Sequence, residues 1–359
     1  SGLYRRMMQD DQIQALLSLR RVVIAGRSWR FDLPATGLSE AGPAPELQAC
    51  AEFLRFVLEK QLGGTFAQVL ADLMSAQVFG FSLLEKCFAP IVWQGQTWWG
   101  LERLALRPAE TFTVEMEPHG AITALLQEQN GRKVPLPRQR FVHHVNRPDA
   151  HAFYGESDLR ACHRHWWAKE NILKFWNIYL ERMAAGFVHG RISGPMSATE
   201  RDELKEVMRN LSAQTSIITP ASVELEMVTA PSTDAFERAV AARDKAMARA
   251  LLVPGLLGFS EQSGTGSYAQ SRTQLDTFFL VMNGVAEALA DTLNEQLFRE
   301  LAWWNFGLVD PPRFRFEPLT EQQRRELAQT WRDAVAGGTV RPTPADEART
   351  RHLLGYPAP

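Results

Sequence analysis

The segment Pro254-Gly-Leu-Leu-Gly-Phe-Ser-Glu-Gln-Ser-Gly-Thr-Gly-Ser-Tyr268 is the most informative stretch of this sequence, because it separates two long helical patterns. From Gly255 onward it holds four glycines and one charged residue, Glu261. Upstream, apolar residues at helical spacing predict a helix over about 233–253 that Pro254-Gly255 ends. Downstream, a stripe from Leu275 to Trp304 predicts a helix of ~35 residues, roughly 50 Å long. Its many glycines and its single charge distinguish this segment from an ordinary connector between two helices.

Glycine-rich segments also form phosphate-binding loops, but this one does not fit that pattern. A P-loop follows a strand and requires GxxxxGK[ST], in which the lysine binds phosphate. Gly264-Thr-Gly-Ser267 follows a predicted helix and has no lysine, and no dinucleotide fingerprint occurs either. The sequence therefore predicts a neutral, polar loop between two helices.

A third helix, over about 157–185, precedes the first of these two. Its apolar seam alternates steps of three and four residues, and further apolar residues lie off the seam, which indicates burial on more than one side. A core helix in a monomer and a helix packed between subunits both explain this pattern. The seam comprises Leu159, Cys162, Trp166, Lys169, Leu173, Trp176, Leu180 and Met183, and the residues off it are Trp167, Phe175, Ile178 and Tyr179.

Between these helices, residues 186–232 form a mixed region interrupted by glycines. Ser197 with Glu200 three residues later is a capping-box pattern, which predicts a polar helix over about 197–211. Two short strands are predicted after it, at Ser216–Thr219 and Val223–Val228.

The remaining sequence predicts an α+β fold that is mainly helical. Helices are expected over 9–25, 45–62, 65–78 and 320–336, and strands over 28–33 and 313–316. Residues 79–146 form an antiparallel β region that ends in the strand Arg140–Val145, since β-branched and aromatic residues alternate with turn signals. Among these turn signals are Gln94-Gly95 and Asn130-Gly131, and the second of them predicts a hairpin.

Composition excludes several classes of protein. The 359 residues include 39 basic and 41 acidic side chains, for a net charge of −2, and 45% are hydrophobic. Such a chain is neither disordered nor a basic coat on nucleic acid. It has no charge-free apolar run of membrane-spanning length and no signal peptide at its start, Ser1-Gly-Leu-Tyr-Arg-Arg. Without an initiator Met, we expect residues before Ser1.

No residue pattern points to catalysis, a metal or a cofactor. Three scattered cysteines, Cys50, Cys87 and Cys162, fit a reducing compartment rather than a disulfide scaffold or zinc site. His143 and His144 are adjacent on a strand and face opposite sides, and His163 and His165 do not share a helix face. We therefore expect ordinary surface or interface histidines. No nucleophile motif is present, and paired tryptophans without a basic groove indicate core or interface anchors.

The order of these parts resembles the portal proteins of tailed bacteriophages, close to the Mu-like and related families. The resemblance covers about residues 5–335, and its strongest part is 154–306 taken as a whole. It is carried by Asp10-Asp-Gln-Ile-Gln-Ala-Leu-Leu-Ser-Leu-Arg-Arg-Val-Val-Ile-Ala-Gly-Arg-Ser-Trp-Arg-Phe31, Arg138-Gln-Arg-Phe-Val-His-His-Val145, Tyr154-Gly-Glu-Ser-Asp-Leu-Arg160 and Leu251-Leu-Val-Pro-Gly-Leu-Leu-Gly258.

The resemblance implies a structural ring, usually of 12 copies, at one vertex of the capsid, through which DNA is packaged and ejected. It implies no enzymatic activity and no cofactor. The implied parts are a wing (1–156), a first stem helix (157–185), a clip (186–232), a second stem helix (233–254), a tunnel loop (255–269), a long wing helix with a strand (270–318) and a crown-like part (319–359) that we expect to continue beyond Pro359.

The implied partners are double-stranded DNA, the terminase large subunit, head-completion or adaptor proteins, and the major capsid and scaffold proteins, with assembly in the host cytoplasm and no membrane. The DNA-facing residues would be Gln262, Ser263, Gly264, Thr265, Gly266 and Ser267. The clip residues that meet partners would be Arg191, Ser193, Met196, Glu224 and Glu226. The stem residues between subunits would be Trp166, Trp176, Arg238, Arg243, Asp244 and Arg249.

A loop that lines a DNA conduit should bind phosphates weakly, because strong ionic contacts would slow translocation. The near-neutral loop meets this requirement, and we expect Arg272 at its edge or in an intersubunit pair rather than on a phosphate. Basic and acidic residues of the second stem helix, Asp234 and Glu237 among them, should pair across subunit faces. Two alternatives stay open. One is another connector or adaptor of a virion, in which deletion of 260–267 would not change DNA packaging. The other is a metal-dependent nuclease or another enzyme.

Overall fold

The structure is a computed structural model of the chain. It describes residues 2–34, 38–39, 42–117, 122–129, 131–148, 153–183, 187–209, 223–228, 233–254 and 268–317, with the single positions 329, 333 and 336. The described residues form an α+β fold. Two compact units make up the chain: one comprises Ser1–Ala161 with Ala248–Pro359, and the other comprises Cys162–Met247.

Most helices agree with the periodicity of the sequence, but α1 was not predicted, and the helix predicted over 65–78 is divided into α4 and α5. They are α1 (Gly2–Met7), α2 (Asp11–Ala25), α3 (Pro45–Phe56), α4 (Phe66–Leu73), α5 (Ala76–Phe79), α6 (Leu159–Met183), α7 (Ala198–Arg209), α8 (Asp234–Ala250), α9 (Tyr268–Leu293) and α10 (Arg299–Phe306). A π-helical turn, Val57–Gln61, follows α3, and another, Asn294–Phe298, joins α9 to α10. Short 3-10 turns lie at Ala109–Thr111 and Arg138–Arg140. The long helix predicted before Trp304 is thus one run with a π-turn inside it.

The strands form small antiparallel sheets. They are β1 (Trp29–Asp32), β2 (Leu38–Ser39), β3 (Gly42–Pro43), β4 (Phe81–Trp93), β5 (Gln96–Arg107), β6 (Phe112–Met116), β7 (Ile122–Gln129), β8 (Arg132–Leu136), β9 (Phe141–Val145), β10 (Phe187–Ile192), β11 (Val223–Val228) and β12 (Arg313–Phe316). The sheet orders are β1-β12, β2-β3, β5-β4-β9, β6-β7-β8 and β10-β11. The predicted β region over 79–146 therefore divides into two sheets of three strands each.

Local sequence signals explain where these elements begin and turn. The Asp10 carboxylate accepts a hydrogen bond from the Ile13 amide at the start of α2, and Thr65 caps α4 in the same way. Gln94 and Gly95 both take positive φ angles, 50° and 76°, which the tight turn between β4 and β5 requires. The turn at Gln94-Gly95 was predicted from the sequence and is confirmed.

An aromatic cluster holds the strand pair β1-β12 against α4 and the π-turn after α9. Phe314 lies at its centre, with ring centroids 5.5 Å from Phe66, 5.8 Å from Phe31 and 5.5 Å from Phe298. Phe298 and Phe314 are fully buried. Each buried Phe contributes about 1.5–3 kcal/mol of transfer free energy, so this cluster is a main part of the core of the first unit.

Residues 146–148 and 153–158 lie against α5, and the second of these segments leads into α6. The Asn146 amide donates to the Gly80 carbonyl, and the Asp158 amide donates to Gln77. Gly155 is required here, since a Cβ on it would lie 2.0 Å from the Asn146 carbonyl oxygen. The start of α6 is thereby fixed to the first unit by backbone contacts.

Two expectations need correction. His143 and His144 do not lie at a surface, because both are buried on β9. They face opposite sides of the strand, as predicted. His143 Nε2 lies 3.1 Å from the Phe153 carbonyl oxygen, and His144 Nδ1 lies 2.9 Å from Thr292 Oγ1. The glycine-interrupted region after α6 contains a strand, β10, that the sequence analysis missed. The predicted strand Ser216–Thr219 lies outside the described residues, as does most of the predicted helix 320–336, of which Gln329, Asp333 and Ala336 are helical.

Within the described part of the chain, no helix is both long enough and apolar enough to span a membrane.

Candidate functional site

Helices α6 and α8 form an antiparallel pair in the second unit. Cys162 Sγ lies 3.9 Å from the Met247 carbonyl oxygen, and Lys169 Nζ lies 2.8 Å from Asp244 Oδ1. Further along, the ring of Trp176 stacks on Phe236, with centroids 5.9 Å apart and planes at 6°. Because residue numbers rise along α6 as they fall along α8, the two helices run in opposite directions. The seam predicted on α6 is the face of this contact.

Lys169 is a cation inside an otherwise apolar seam. It is 3% exposed, and its ammonium group pairs with the half-buried carboxylate of Asp244. A buried charge requires such a partner, because desolvation would otherwise cost several kcal/mol. Asp244, which we expected between subunits, is therefore engaged within its own chain. A lysine at a seam position indicates that an Asp or Glu side chain faces it. The periodicity of the sequence does not identify that residue.

Two of the residues assigned to contacts between subunits have polar atoms that are buried without a hydrogen-bond partner among the described residues. These atoms are Trp176 Nε1 and Arg243 Nε. A buried donor without an acceptor costs about 1–3 kcal/mol. Of the other stem residues, Arg238 and Arg249 are exposed, whereas Trp166 is 8% exposed and already covered.

The face of α6 opposite the seam is apolar and exposed. Trp167 is 60% exposed, Phe175 63% and Ile178 38%. These positions are separated by eight and three residues, so they lie on one side of the helix. The sequence left open whether α6 is a core helix or a helix between subunits. The structure shows one apolar face packed within the chain and a second one facing outward.

The region between α6 and α8 is built from a two-stranded ribbon and a capped helix. Strands β10 and β11 pair so that Arg191 lies opposite Glu224 and His189 opposite Glu226. Arg191, Ser193 and Glu224 are exposed and Met196 is half-buried. The ribbon thus presents opposite charges at neighbouring positions, an arrangement that stabilises a strand pair by a fraction of a kcal/mol.

The capping box of α7 is formed as the sequence predicts. The Ser197 amide donates to Glu200 Oε2 at 2.8 Å, and the Glu200 amide donates to Ser197 Oγ at 3.2 Å. The Glu200 carboxylate accepts from the Ser197 amide and from the Ser197 hydroxyl, and these two hydrogen bonds hold the pKa of Glu200 below its usual value.

The DNA-facing residues expected at 262–267 lie outside the described residues, and so does the side chain of Arg272. The described residues contain no group of three or more His, Cys, Asp and Glu side chains that could hold a metal ion.

Comparison with solved structures shows the fold. A chain in the "Virion of native gene transfer agent (GTA) particle" aligns with a TM-score of 0.62 at 16% identity, over 99% of this chain and 94% of that one. A chain in the "Neck of empty GTA particle computed with C6 symmetry" gives 0.64 at 15% identity, with the same coverage. A third, in the "Neck of native GTA particle computed with C12 symmetry", gives 0.62 at 16% identity over 98% and 91%.

No curated protein matches the sequence. A family model does match, described as "Portal protein of Mu bacteriophage", and it aligns with residues 1–354. This match extends through both compact units and nearly the whole chain, so it does not depend on one segment. The chain therefore belongs to the Mu-type portal protein family of bacteriophages.

Proposed function

We propose that this protein assembles into a ring at one vertex of a virus-like particle and forms the channel through which DNA enters and leaves. Membership of the portal family supports this role, and the neck assemblies of similar fold were computed with six-fold and twelve-fold symmetry. A ring of 12 copies assembled in the host cytoplasm and retained in the virion is the form we propose. The role is structural, with no catalytic step.

We propose that the ring has four parts. The wing comprises residues 1–156 with 270–318, and the crown begins at 319. The stem is the pair of helices 157–185 and 233–254, and the clip comprises residues 186–232. In support, the second compact unit, Cys162–Met247, spans most of the stem and all of the clip. A separate unit is suited to an axial projection from a ring.

The observation that carries the ring assembly is the second apolar face of α6. Trp167 and Phe175 are more than half exposed. An aromatic side chain that becomes covered by a partner buries about 150–250 Å² of surface. In a ring, each subunit presents one face to the neighbour on its left and a different face to the one on its right. Exposed Arg238 and Arg249 on α8 supply polar contacts for such a neighbour.

We assign the contact with DNA to the segment 255–269. Its one charged residue, Glu261, leaves it without the cations that bind phosphate, so double-stranded DNA would pass Gln262, Ser263, Thr265 and Ser267 with little ionic drag. Deletion of 260–267 should leave rings intact and reduce DNA packaging. An adaptor protein without a DNA-facing loop would package normally after the same deletion.

We assign the docking of the terminase large subunit and of head-completion proteins to the clip. Arg191 and Glu224 are exposed and carry opposite charges on the β10-β11 ribbon. Such a mixed surface favours charge-complementary, reversible binding. This suits a site that serves successive partners. Capsid and scaffold proteins would contact the wing.

The experiment that tests ring assembly uses the double variant Trp167→Glu with Phe175→Glu. Negative-stain images of the native protein should show rings with a central hole, and the variant should remain monomeric in light scattering, because two carboxylates cannot be buried on that face. Val309→Glu, at a 72% exposed position of the first unit, is the matched control and should form rings. Rings of normal size from the double variant would exclude this face as the interface.

A further inference from the structure

Three carboxamide side chains near the end of the long helix each bind the backbone of one strand residue at both its N–H and its C=O. Asn294 Oδ1 accepts from the Phe314 amide at 2.8 Å, and Asn294 Nδ2 donates to the Phe314 carbonyl at 3.0 Å. Gln296 makes the same pair of bonds to His143, at 2.7 and 2.9 Å. Asn305 makes them to Trp99, at 2.8 and 2.9 Å.

The three strands that are held in this way are edge strands. In the sheet β5-β4-β9, Gln296 binds β9 and Asn305 binds β5, the two outer strands. Asn294 binds β12, one of the two strands of the β1-β12 sheet. An edge strand presents unpaired N–H and C=O groups that pair readily with another strand. Each carboxamide provides the donor and acceptor that an added strand would provide.

The central strand of the same sheet is also attached to this helix. Lys86 on β4 donates from Nζ to the Gln296 carbonyl at 2.9 Å and pairs with Glu300. The helical segment from Gln296 to Asn305 thus contacts every strand of the sheet through polar bonds. Hydrophobic contacts tolerate sliding, but hydrogen bonds to single backbone residues fix one position along the helix axis.

The π-turn contributes to this arrangement because it contains two of the three carboxamides. Asn294 and Gln296 are two residues apart, so they project to different sides of the helix and reach different sheets. π-turns inside α-helices are rare and frequently lie at functional sites.

We propose that Asn294, Gln296 and Asn305 act as backbone-mimicking clamps that fix the end of the long helix to three strand edges and occupy those edges in place of a neighbouring strand. The proposal does not depend on ring assembly or on DNA transport.

Residue-resolved hydrogen exchange on the full chain tests the clamps one at a time. Asn305→Ala should speed exchange of the Trp99 amide by about tenfold or more, since two hydrogen bonds are lost, and leave the His143 and Phe314 amides unchanged. Gln296→Ala should affect only the His143 amide, and Asn294→Ala only the Phe314 amide. Gln14→Ala, at an exposed position of α2, is the control and should change none of the three.

Unchanged protection at the clamped residue in a folded variant would overturn the proposal. An equal acceleration at all three amides in every variant would overturn it as well, because that pattern reports loss of overall stability rather than release of one edge.

Asn305→Asp provides the second test if the alanine variant fails to fold. The introduced carboxylate still accepts from the Trp99 amide but confronts the Trp99 carbonyl without a hydrogen. When protonated, it again offers a donor and an acceptor. The difference in melting temperature between this variant and the native chain should therefore shrink as the pH falls below the pKa of the new carboxyl group. A difference that does not depend on pH would show that the donor to the carbonyl is unimportant.

Discussion

Arg20 and Asp158 form an ion pair from which water is nearly excluded. Arg20 Nη1 lies 2.8 Å from Asp158 Oδ2, and the two residues are 3% and 2% exposed. Asp158 Oδ1 accepts a further bond from Asn146 Nδ2 at 2.9 Å, and Arg147 Nε lies 3.4 Å away. The pair connects α2 to the residue that precedes α6. It contributes little to overall stability, because a buried pair gains little net free energy over an apolar one.

Removal of one partner has a different effect, because it leaves a buried charge uncompensated. Asp158→Ala should lower the free energy of unfolding by about 3–5 kcal/mol. Asp202→Ala, which breaks the exposed pair between Asp202 and Lys205, should cost less than about 1 kcal/mol. Urea denaturation of both variants measures the two losses. Equal losses would mean that burial of the Arg20 pair has no energetic consequence.

Two glycines allow a comparison of opposite effects for the same substitution. A Cβ at Gly155 would lie 2.0 Å from the Asn146 carbonyl oxygen and 2.5 Å from that of Gly80, whereas a Cβ at Gly284 on α9 meets nothing within 4 Å. Gly155→Ala should therefore reduce the melting temperature by several degrees or prevent folding. Gly284→Ala should raise stability by about 0.5–1 kcal/mol, because alanine is favoured inside a helix. Thermal melts distinguish the two, and a neutral Gly155→Ala would contradict the close packing.

At the scale of elements, β9 is buried on both faces and carries a histidine on each. Burial, with the charge of Arg138 as the next cause, lowers the pKa of His143 to about 4. Burial lowers the pKa of His144 to about 4 as well. Both rings are therefore neutral in the folded protein, although histidine in an unfolded chain has a pKa of about 6.5.

These shifts make stability depend on pH in a defined window. Below about pH 6.5 the unfolded chain binds protons that the folded chain does not, so stability falls from there down to about pH 4. Each histidine should account for a loss of about 2 kcal/mol between pH 7 and pH 5. His143→Gln with His144→Gln should flatten the profile over this range, whereas His189→Gln, at an exposed position on β10, should not. Denaturant titrations at several pH values test this, and parallel profiles for all variants would contradict it.

The sequence predicted elements well and their partners poorly. The seam on α6, the cap at Ser197 and the turn at Gln94-Gly95 depend on local spacing, which a sequence displays directly. Strand β10 was missed because its glycine and the glycines around it mask the alternation of its side chains. The pairing of Lys169 with Asp244 depends on which faces two helices bring together, and no periodicity encodes that.

The carboxamide clamps illustrate the same limit. Asn294, Gln296 and Asn305 look like ordinary polar residues beside an apolar stripe. Only the sheet topology shows that each meets the exposed backbone of an edge strand. Likewise, His143 and His144 were expected at a surface or an interface because their spacing fits no metal site, whereas helix α9 contacts β9 through the hydrogen bond between Thr292 and His144.

At the scale of the whole molecule, the near balance of 39 basic and 41 acidic residues reflects local neutralisation. In the first unit, Glu85 accepts from both Arg107 and Arg140, and Arg30 pairs with Asp32 and Glu317. A net charge near zero therefore does not exclude a role next to DNA. It is compatible with a channel that conducts DNA without binding it tightly.

The division of the chain into a discontinuous unit and an inserted one leads to a prediction about folding and assembly. The two ends of the inserted unit are adjacent, since Cys162 Sγ lies 3.9 Å from the Met247 carbonyl oxygen. A Gly/Ser linker of about six residues, with a reach of up to ~20 Å, is therefore long enough to replace residues 163–246. The first unit retains the aromatic cluster around Phe314, the Arg20–Asp158 pair and all three carboxamide clamps, so it should fold alone.

The shortened chain should unfold cooperatively in a thermal melt followed by circular dichroism, and it should be monomeric in light scattering, because the exposed face of α6 has been removed. If this chain forms rings, the main assembly surface lies in the first unit, and the role proposed for Trp167 and Phe175 is wrong. A chain without a cooperative transition would show that the first unit depends on the inserted one for its stability. The sharpest comparison is with the double variant Trp167→Glu and Phe175→Glu: both proteins should be monomeric, but only the variant keeps the stacked pair Trp176–Phe236 that holds α6 against α8.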